Sequence, residues 1–325
     1  MNESFWGELG TYLAEGGRAF LVVVVDHTAH SPGSRGAKLF VREDGTSVGT
    51  IGGGVMEANV LARARNADTP RWRALDLHHR RRVTGDGTPS GLICAGRQRH
   101  LEVRLGPDAA ETLLRFATLQ RTEAEEAELV VNEGEMSIVA RPVDPQHGPR
   151  RHWPEGFAEH AINHRRVVIL GGGHCGLALS RALRALGYRV RVVETRSEAA
   201  IVGAHDPATV TVVDAWDQVA DCVDYPALSH VVVMTAAAHS DIDALRGLAD
   251  VATPFLGLMG SPAKLRFIRE ALVESGHERV WSRVTAPVGL PMVSDTPAEI
   301  AVSISAQLLR SRPVLFPWER PARAT

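Results

Sequence analysis

Near the start of the chain apolar residues fall at helical spacing. Phe5, Leu9, Tyr12 and Leu13 share one face of a helix over 4–15, which Gly16 and Gly17 end. Phe20 to Asp26 is a run of apolar residues too short for a helix and reads as a buried strand. Lys38 to Arg42 and Ser47 to Ile51 flank Asp44-Gly45, whose tolerance of positive φ predicts a tight hairpin. Gly52, Gly53 and Gly54 then open a helix from Val55 to Asn66, with Val55, Ala58, Val60 and Leu61 suited to packing on that sheet. Further strands are expected at 97–105, 129–132 and 136–141, with Asp108 capping an intervening helix that reaches about Gln120.

The pattern changes twice after that. Pro142 to His164 is rich in Pro, His and Gly and shows no apolar period, so it reads as the boundary region. From Arg165 onward short β-branched runs alternate with helical stretches: Val167 to Leu170, Val190 to Val193, Val210 to Val213, Val231 to Met234 and Phe255 to Met259. Alternation of this kind predicts a parallel sheet covered by helices. The expected organisation is an α/β chain with a mixed α+β domain over 1–145, a linker over 146–163 and a doubly wound, Rossmann-like domain over 164–325.

Composition narrows the function classes. Apolar residues make up 44% and charged residues 23% of the chain, which suits a folded globular protein and excludes a fibrous or disordered one. A net charge of -2 supplies no field for polyanions, despite the local run Arg80, Arg81 and Arg82, so no nucleic-acid partner is expected. The apolar runs are far shorter than the ~20 residues of a membrane-spanning helix. The first ten residues lack the basic-then-apolar order of an export signal, which predicts a cytoplasmic protein. Cys94, Cys175 and Cys222 are widely spaced with no paired motif, which predicts reduced thiols rather than disulfides or a structural zinc site.

One segment carries explicit chemistry. Gly171, Gly173 and Gly176 form G-x-G-x-x-G between a strand and an amphipathic helix, with Glu194 at the end of the next strand and Arg196 just beyond it. In such a loop the first glycine makes a tight turn, the second lets a phosphate approach the backbone, and the third lets helix lie close on strand. Free amides and the helix dipole favour an anion there, and Glu194 can accept hydrogen bonds from a ribose diol. The alternative is a Rossmann scaffold that keeps its glycines for packing alone. His174 sits where a ligand contact or a solvent-facing helix start are both open, and Cys175, predicted to pack inward, carries a thiol that the helix N-terminus would acidify.

Several more segments, in order, resemble the XdhC/CoxI family of molybdenum-cofactor chaperones. They are Arg35-Gly36-Ala37-Lys38, then Gly49 to Gly54 followed by Glu57, then Cys94 and Gly96, then the Gly171 loop. Gly257, Gly260, Ser261 and Lys264 follow, and finally Pro287, Gly289, Leu290, Pro297, Glu299, Ile300 and Ala301. Departures are Ala95 where the family has glycine, Ala236 to Ala238 after the fourth Rossmann strand, and Pro291 to Val293 in place of an aspartate-bearing segment.

The resemblance implies a chaperone without turnover of its own and with no catalytic residues. Such a protein binds the molybdenum cofactor (molybdopterin), shields it while a cysteine desulfurase installs the terminal sulfur, and delivers it to a xanthine dehydrogenase or aldehyde oxidase-type molybdenum hydroxylase. It also implies a homodimer. Candidate cofactor-binding residues are then Gly171, Gly173, His174, Gly176, Glu194, Arg196, Arg35, Gly52, Gly53, Gly54, Glu57 and Cys94. Arg35 suits a bidentate phosphate contact or a surface ion pair equally well. Glu57, in the first turn of its helix, suits capping better than ligand contact, and Cys94 is either a thiolate near molybdenum or a buried packing residue. The rival is an NAD(P)-dependent oxidoreductase using Glu194 on the adenosine ribose, with His239 as its acid. A nucleotide-sensing regulator is a third reading.

Overall fold

A computed structural model describes residues 4–79, 88–90, 96–154, 156–196 and 202–319. The chain divides into unit 1, Met1–Ile162 with Trp318–Thr325, and unit 2, Asn163–Pro317.

Unit 1 begins with α1 (Phe5–Ala14), whose N-terminus is capped by the Ser4 hydroxyl accepting from the Gly7 amide at 3.2 Å. Its six-stranded sheet contains β1 (Ala19–His27), β2 (Lys38–Arg42), β3 (Ser47–Thr50), β4 (Trp72–His78), β5 (Thr88–Pro89) and β6 (Arg97–Leu105), in the order β3-β2-β1-β6-β4-β5. All neighbours are antiparallel except β4 and β5. The apolar run in β1 exists because both sheet faces are covered. Leu21, Val23 and Val25 pack under α1 and α3 (Ala110–Thr122) with Trp6, Leu113 and Phe116, while Phe20, Val22 and Val24 pack against Met56 and Val60 of α2 (Gly54–Arg65). Asp108 makes no capping bond; it lies in a short 3-10 turn before α3 and pairs with Arg71 at 3.5 Å.

A second, four-stranded antiparallel sheet has the order β8-β7-β10-β9, from β7 (Ala127–Asn132), β8 (Glu135–Ala140), β9 (Arg150–Trp153) and β10 (Gly156–His160). The stretch expected as a linker over 146–163 therefore holds two strands of unit 1, and the division falls between Ile162 and Asn163. The reason is electrostatic. Glu159 of β10 is buried against Lys38 of β2, and Glu128 of β7 is buried against Arg141 and Arg151. Neutralised pairs let charged residues occupy interior positions, and the apolar period vanishes.

Unit 2 is a parallel six-stranded sheet in the order β13-β12-β11-β14-β15-β16. Its elements are β11 (Arg166–Leu170), α4 (His174–Ala185), β12 (Arg189–Glu194), β13 (Val210–Val212), β14 (Ser229–Val233), α5 (Ala238–Gly247), β15 (Phe255–Leu258), α6 (Pro262–Glu274), α7 (Glu278–Trp281), β16 (Val284–Thr285) and α8 (Pro297–Leu315). Strand residues alternate between two cores. Val168, Leu170, Val231 and Val233 face α5 and α6, whereas Val167, Ile169, Val190 and Val232 face α4 and α8. This is the doubly wound Rossmann arrangement expected from the alternating pattern, and its strand order reverses between β11 and β14. No helix among the described residues is long and apolar enough to cross a membrane.

Each unit buries an imidazole in its core. His230 of β14 is packed among Tyr188, Phe255 and Phe316, donates from Nδ1 to the Arg166 carbonyl at 3.2 Å, and has its pKa pushed down by burial to about 4. His100 of β6 donates from Nε2 to Gln98 Oε1 at 3.0 Å, and burial takes it down to about 3. Above pH 6.5 both rings are neutral whether folded or unfolded. As pH falls below 6.5 the unfolded chain binds protons that the folded chain refuses, so stability is lost on acidification, down to about pH 4 for His230 and about pH 3 for His100. Urea denaturation at pH 7.5 and pH 5 is expected to show a loss of about 2 kcal/mol per imidazole. His230→Phe should flatten the dependence for unit 2; an unchanged slope would remove His230 as its source.

Candidate functional site

The Gly171 loop leaves the carboxyl end of β11 at the point where the strand order reverses, the place where open α/β sheets bind ligands. Its glycines do different work. Gly171 has φ +119°, and a Cβ there would stand 2.4 Å from the Met234 carbonyl oxygen. A Cβ on Gly176 would stand 2.1 Å from the Gly171 oxygen, so this position sets the close approach of α4 to β11. Gly173 is different: its φ of -68° suits any residue, and nothing lies within 4 Å of where its Cβ would be. The chain's own packing gives no reason for glycine there. Gly173 is also the N-cap of α4, with no side-chain cap and no acidic residue in the first turn, so the positive end of the helix is not neutralised locally.

The rest of the loop is held by the protein itself. The Gly172 amide donates to Glu194 Oε2 at 3.0 Å, and the Gly172 carbonyl accepts from Nε2 of buried His205 at 2.9 Å. Glu194 is only 1% exposed, and Arg196 donates to it from Nη2 at 2.7 Å and from Nε at 3.2 Å. Burial opposes ionisation of Glu194, but hydrogen bonds from Arg196, the Thr195 amide and the Gly172 amide outweigh it and hold its pKa below the ordinary range. A ribose diol would have to compete with Arg196, whose side chain is half exposed. His174 is exposed on the first residue of α4. Cys175 packs inward as expected, but its thiol pKa is raised rather than lowered, by burial.

Across the reversal lies a group whose members the sequence did not bring together. Asp241 of α5 has a fully buried side chain. Its Oδ1 accepts from the Thr235 amide at 3.0 Å and the Thr235 hydroxyl at 2.6 Å, and its Oδ2 faces Lys264 Nζ of α6 at 2.5 Å. Thr235 lies two residues past the end of β14, and the Met234 carbonyl between them closes on Gly171. A half-buried lysine is thus fixed near the carboxyl edge of the sheet. Its only signal in sequence was the G-S-x-x-K segment, because the fold alone joins 264 to 241. His205 gave no signal at all.

In unit 1 the second glycine loop is occupied by its own side chain. Glu57 Oε1 accepts from the Gly53 amide at 2.9 Å, the Ile51 amide at 3.0 Å and the Thr50 hydroxyl at 2.7 Å. Burial opposes its ionisation, and these bonds nevertheless hold its pKa below the ordinary range. Gly52 and Gly53 both have positive φ, as does Gly54. An anion at those amides would meet the Glu57 carboxylate first. Arg35 pairs with Asp26 at 3.2 Å, and its amide donates to His27 Nδ1 at 3.2 Å. Arg97 also approaches Asp26, at 3.5 Å, so two guanidinium groups share one carboxylate. Cys94 and Arg80 to Arg82 lie outside the described residues. Among those described, no group of three or more His, Cys, Asp or Glu side chains is placed to hold a metal ion.

Comparison with known proteins follows this division. Residues 12–73 match the model of the XdhC and CoxI family, and residues 167–308 match that of the XdhC Rossmann domain. The uncharacterized protein YqeB of Escherichia coli (strain K12) is 25% identical over 289 residues, 88% of this chain and 42% of that protein, so the chain spans less than half of that relative's length. A crystal structure described as a xanthine dehydrogenase from Bacillus halodurans superposes with a TM-score of 0.68 at 20% identity, over 98% of this chain and 97% of that one. That likeness shows the fold.

Proposed function

The chain belongs to the XdhC and CoxI family, and on that premise we propose that it is an accessory protein of a xanthine dehydrogenase or aldehyde oxidase-type hydroxylase. Its cargo is the molybdenum cofactor, which it shields while a cysteine desulfurase adds the terminal sulfur, as a homodimer in the cytoplasm. The observation that carries this reading is the open amide end at Gly173, a glycine that the protein's own packing does not require. The terminal phosphate of molybdopterin is the group suited to it, taking hydrogen bonds from the first amides of α4 and the favourable end of the helix dipole. Lys264, held by Asp241, supplies a fixed positive charge near the same sheet edge, and Arg196, paired with Glu194, supplies a half-exposed one.

The NAD(P)-dependent reading draws on Glu194 at the end of β12, but Arg196 already occupies that carboxylate. Protein purified from a molybdenum-replete host is expected to carry molybdopterin, and a hydroxylase matured without this protein should be poorly loaded. Equal cofactor loading with and without it would overturn the chaperone role. Tight NADH binding with substrate-dependent oxidation would establish the rival.

A further inference from the structure

Unit 1 contains a cavity that the glycine loops do not touch, at the opposite end of β1 from Asp26 and Arg35. We propose that it binds a phosphorylated small molecule, with the phosphates held by Arg18, Arg65 and Arg71. The cavity measures about 710 Å³ and is formed where the start of β1, the end of β2, the C-terminal end of α2 and the turn between β6 and α3 converge. This is the size range of nucleotide-sized ligands. Its floor is apolar, from Ala19, Phe20, Val41 and Leu105, all buried.

The charge around it is lopsided. Five arginines line the cavity, at 18, 42, 65, 71 and 104, against the two acids Glu43 and Asp108, in a chain whose net charge is -2. Two of the five are committed. Arg42 pairs with Glu8 at 2.7 Å and lies over the Tyr12 and Phe40 rings. Arg104 donates to the carbonyls of Arg63, Ala64, Asn66 and Thr69, which close the end of α2, and lies over the Phe20 ring at 5.3 Å.

The other three are available. Among the described residues the Arg71 side chain pairs only with Asp108, at 3.5 Å, with both side chains about two-thirds exposed, a pairing worth little in water. Arg18 and Arg65 have no carboxylate partner among the described residues. Arg65 also complements the α2 dipole, but neither Arg18 nor Arg71 has such a role. Guanidinium forks on separate segments around an apolar floor suit a ligand with two or more phosphate groups and an uncharged body. A solvated arginine surface would have no cavity between its charges.

The test uses the full chain with inorganic phosphate, pyrophosphate and ATP as probes, followed by calorimetric titration. Wild type, Arg18→Glu/Arg65→Glu, the milder Arg18→Gln/Arg65→Gln and Gly173→Asp are compared after their melting temperatures show that each is folded. ATP is expected to saturate the wild type and to bind more tightly than phosphate. Affinity should fall ~10-fold or more in both arginine double variants, since each loses two charge-assisted hydrogen-bonding forks to phosphate. ATP binding that persists in Gly173→Asp and is lost in the arginine variants belongs to this cavity, which separates it from the Rossmann loop. The proposal is overturned by any of three results: no saturable binding of any probe, equal binding in the folded arginine variants, or phosphate binding as tightly as ATP.

Discussion

Gly173→Asp is expected to abolish molybdopterin copurification while leaving unit 2 as stable as the wild type or slightly more so. Position 173 has ordinary extended backbone and open space, so the new side chain meets nothing. Aspartate is a better N-cap than glycine by a few tenths of a kcal/mol, and it complements the dipole of an uncapped α4. Its carboxylate would take the place of a ligand's anionic group. Gly176→Ala should do the reverse. A methyl group 2.1 Å from the Gly171 oxygen meets backbone rather than a movable side chain, so α4 must lift from β11 at a cost of about 3 kcal/mol or more. Thermal denaturation and molybdopterin analysis on the two variants separate these effects. If Gly173→Asp retained the cofactor, or destabilised the protein as much as Gly176→Ala, the loop would be a packing device only.

The second large effect is expected at Glu159→Gln. Lys38 is one of the residues on which the family resemblance rests, yet its Nζ lies 2.6 Å from Glu159, with the two side chains only 11% and 7% exposed. It also lies 5.2 Å from the Trp6 ring centroid. Burial lowers the Lys38 pKa despite the neighbouring carboxylate, so the lysine depends on that carboxylate to remain charged. Removing one member of a buried pair costs about 3–5 kcal/mol, whereas replacing both with apolar residues of similar volume is close to neutral. Glu159→Gln should therefore lower the denaturant midpoint of unit 1 sharply, and Lys38→Met/Glu159→Leu should restore most of it. A double variant as unstable as the single one would mean that the pair contributes net stability.

These two cases also show what the sequence can and cannot reveal. The Rossmann unit was legible because each of its central strands is a β-branched run buried on both faces, and because Gly171 and Gly176 answer to local geometry. Strands β9 and β10 were not legible, since the buried Glu159 of β10 has its charge matched by Lys38, far away in sequence, and by Arg150 of the adjacent strand. Strand β4 was missed for a related reason: Arg73 points at fully buried Glu102, which a second arginine, Arg63, also meets. Residues of the candidate site were named from spacing, but spacing cannot say which amides are free. Glu57 on the Gly53 amide, Arg196 on Glu194 and Lys264 on Asp241 are all products of the fold. The difference between Gly173 and Gly176, identical letters in one motif, emerges only from what surrounds each.

The Glu57 carboxylate bears on how the second glycine loop behaves in the absence of a ligand. By binding the Ile51 and Gly53 amides it keeps the turn into α2 folded without help from any guest. Binding or release of a ligand elsewhere then requires no refolding of this segment, and this loop presents no bare row of amides to phosphate compounds.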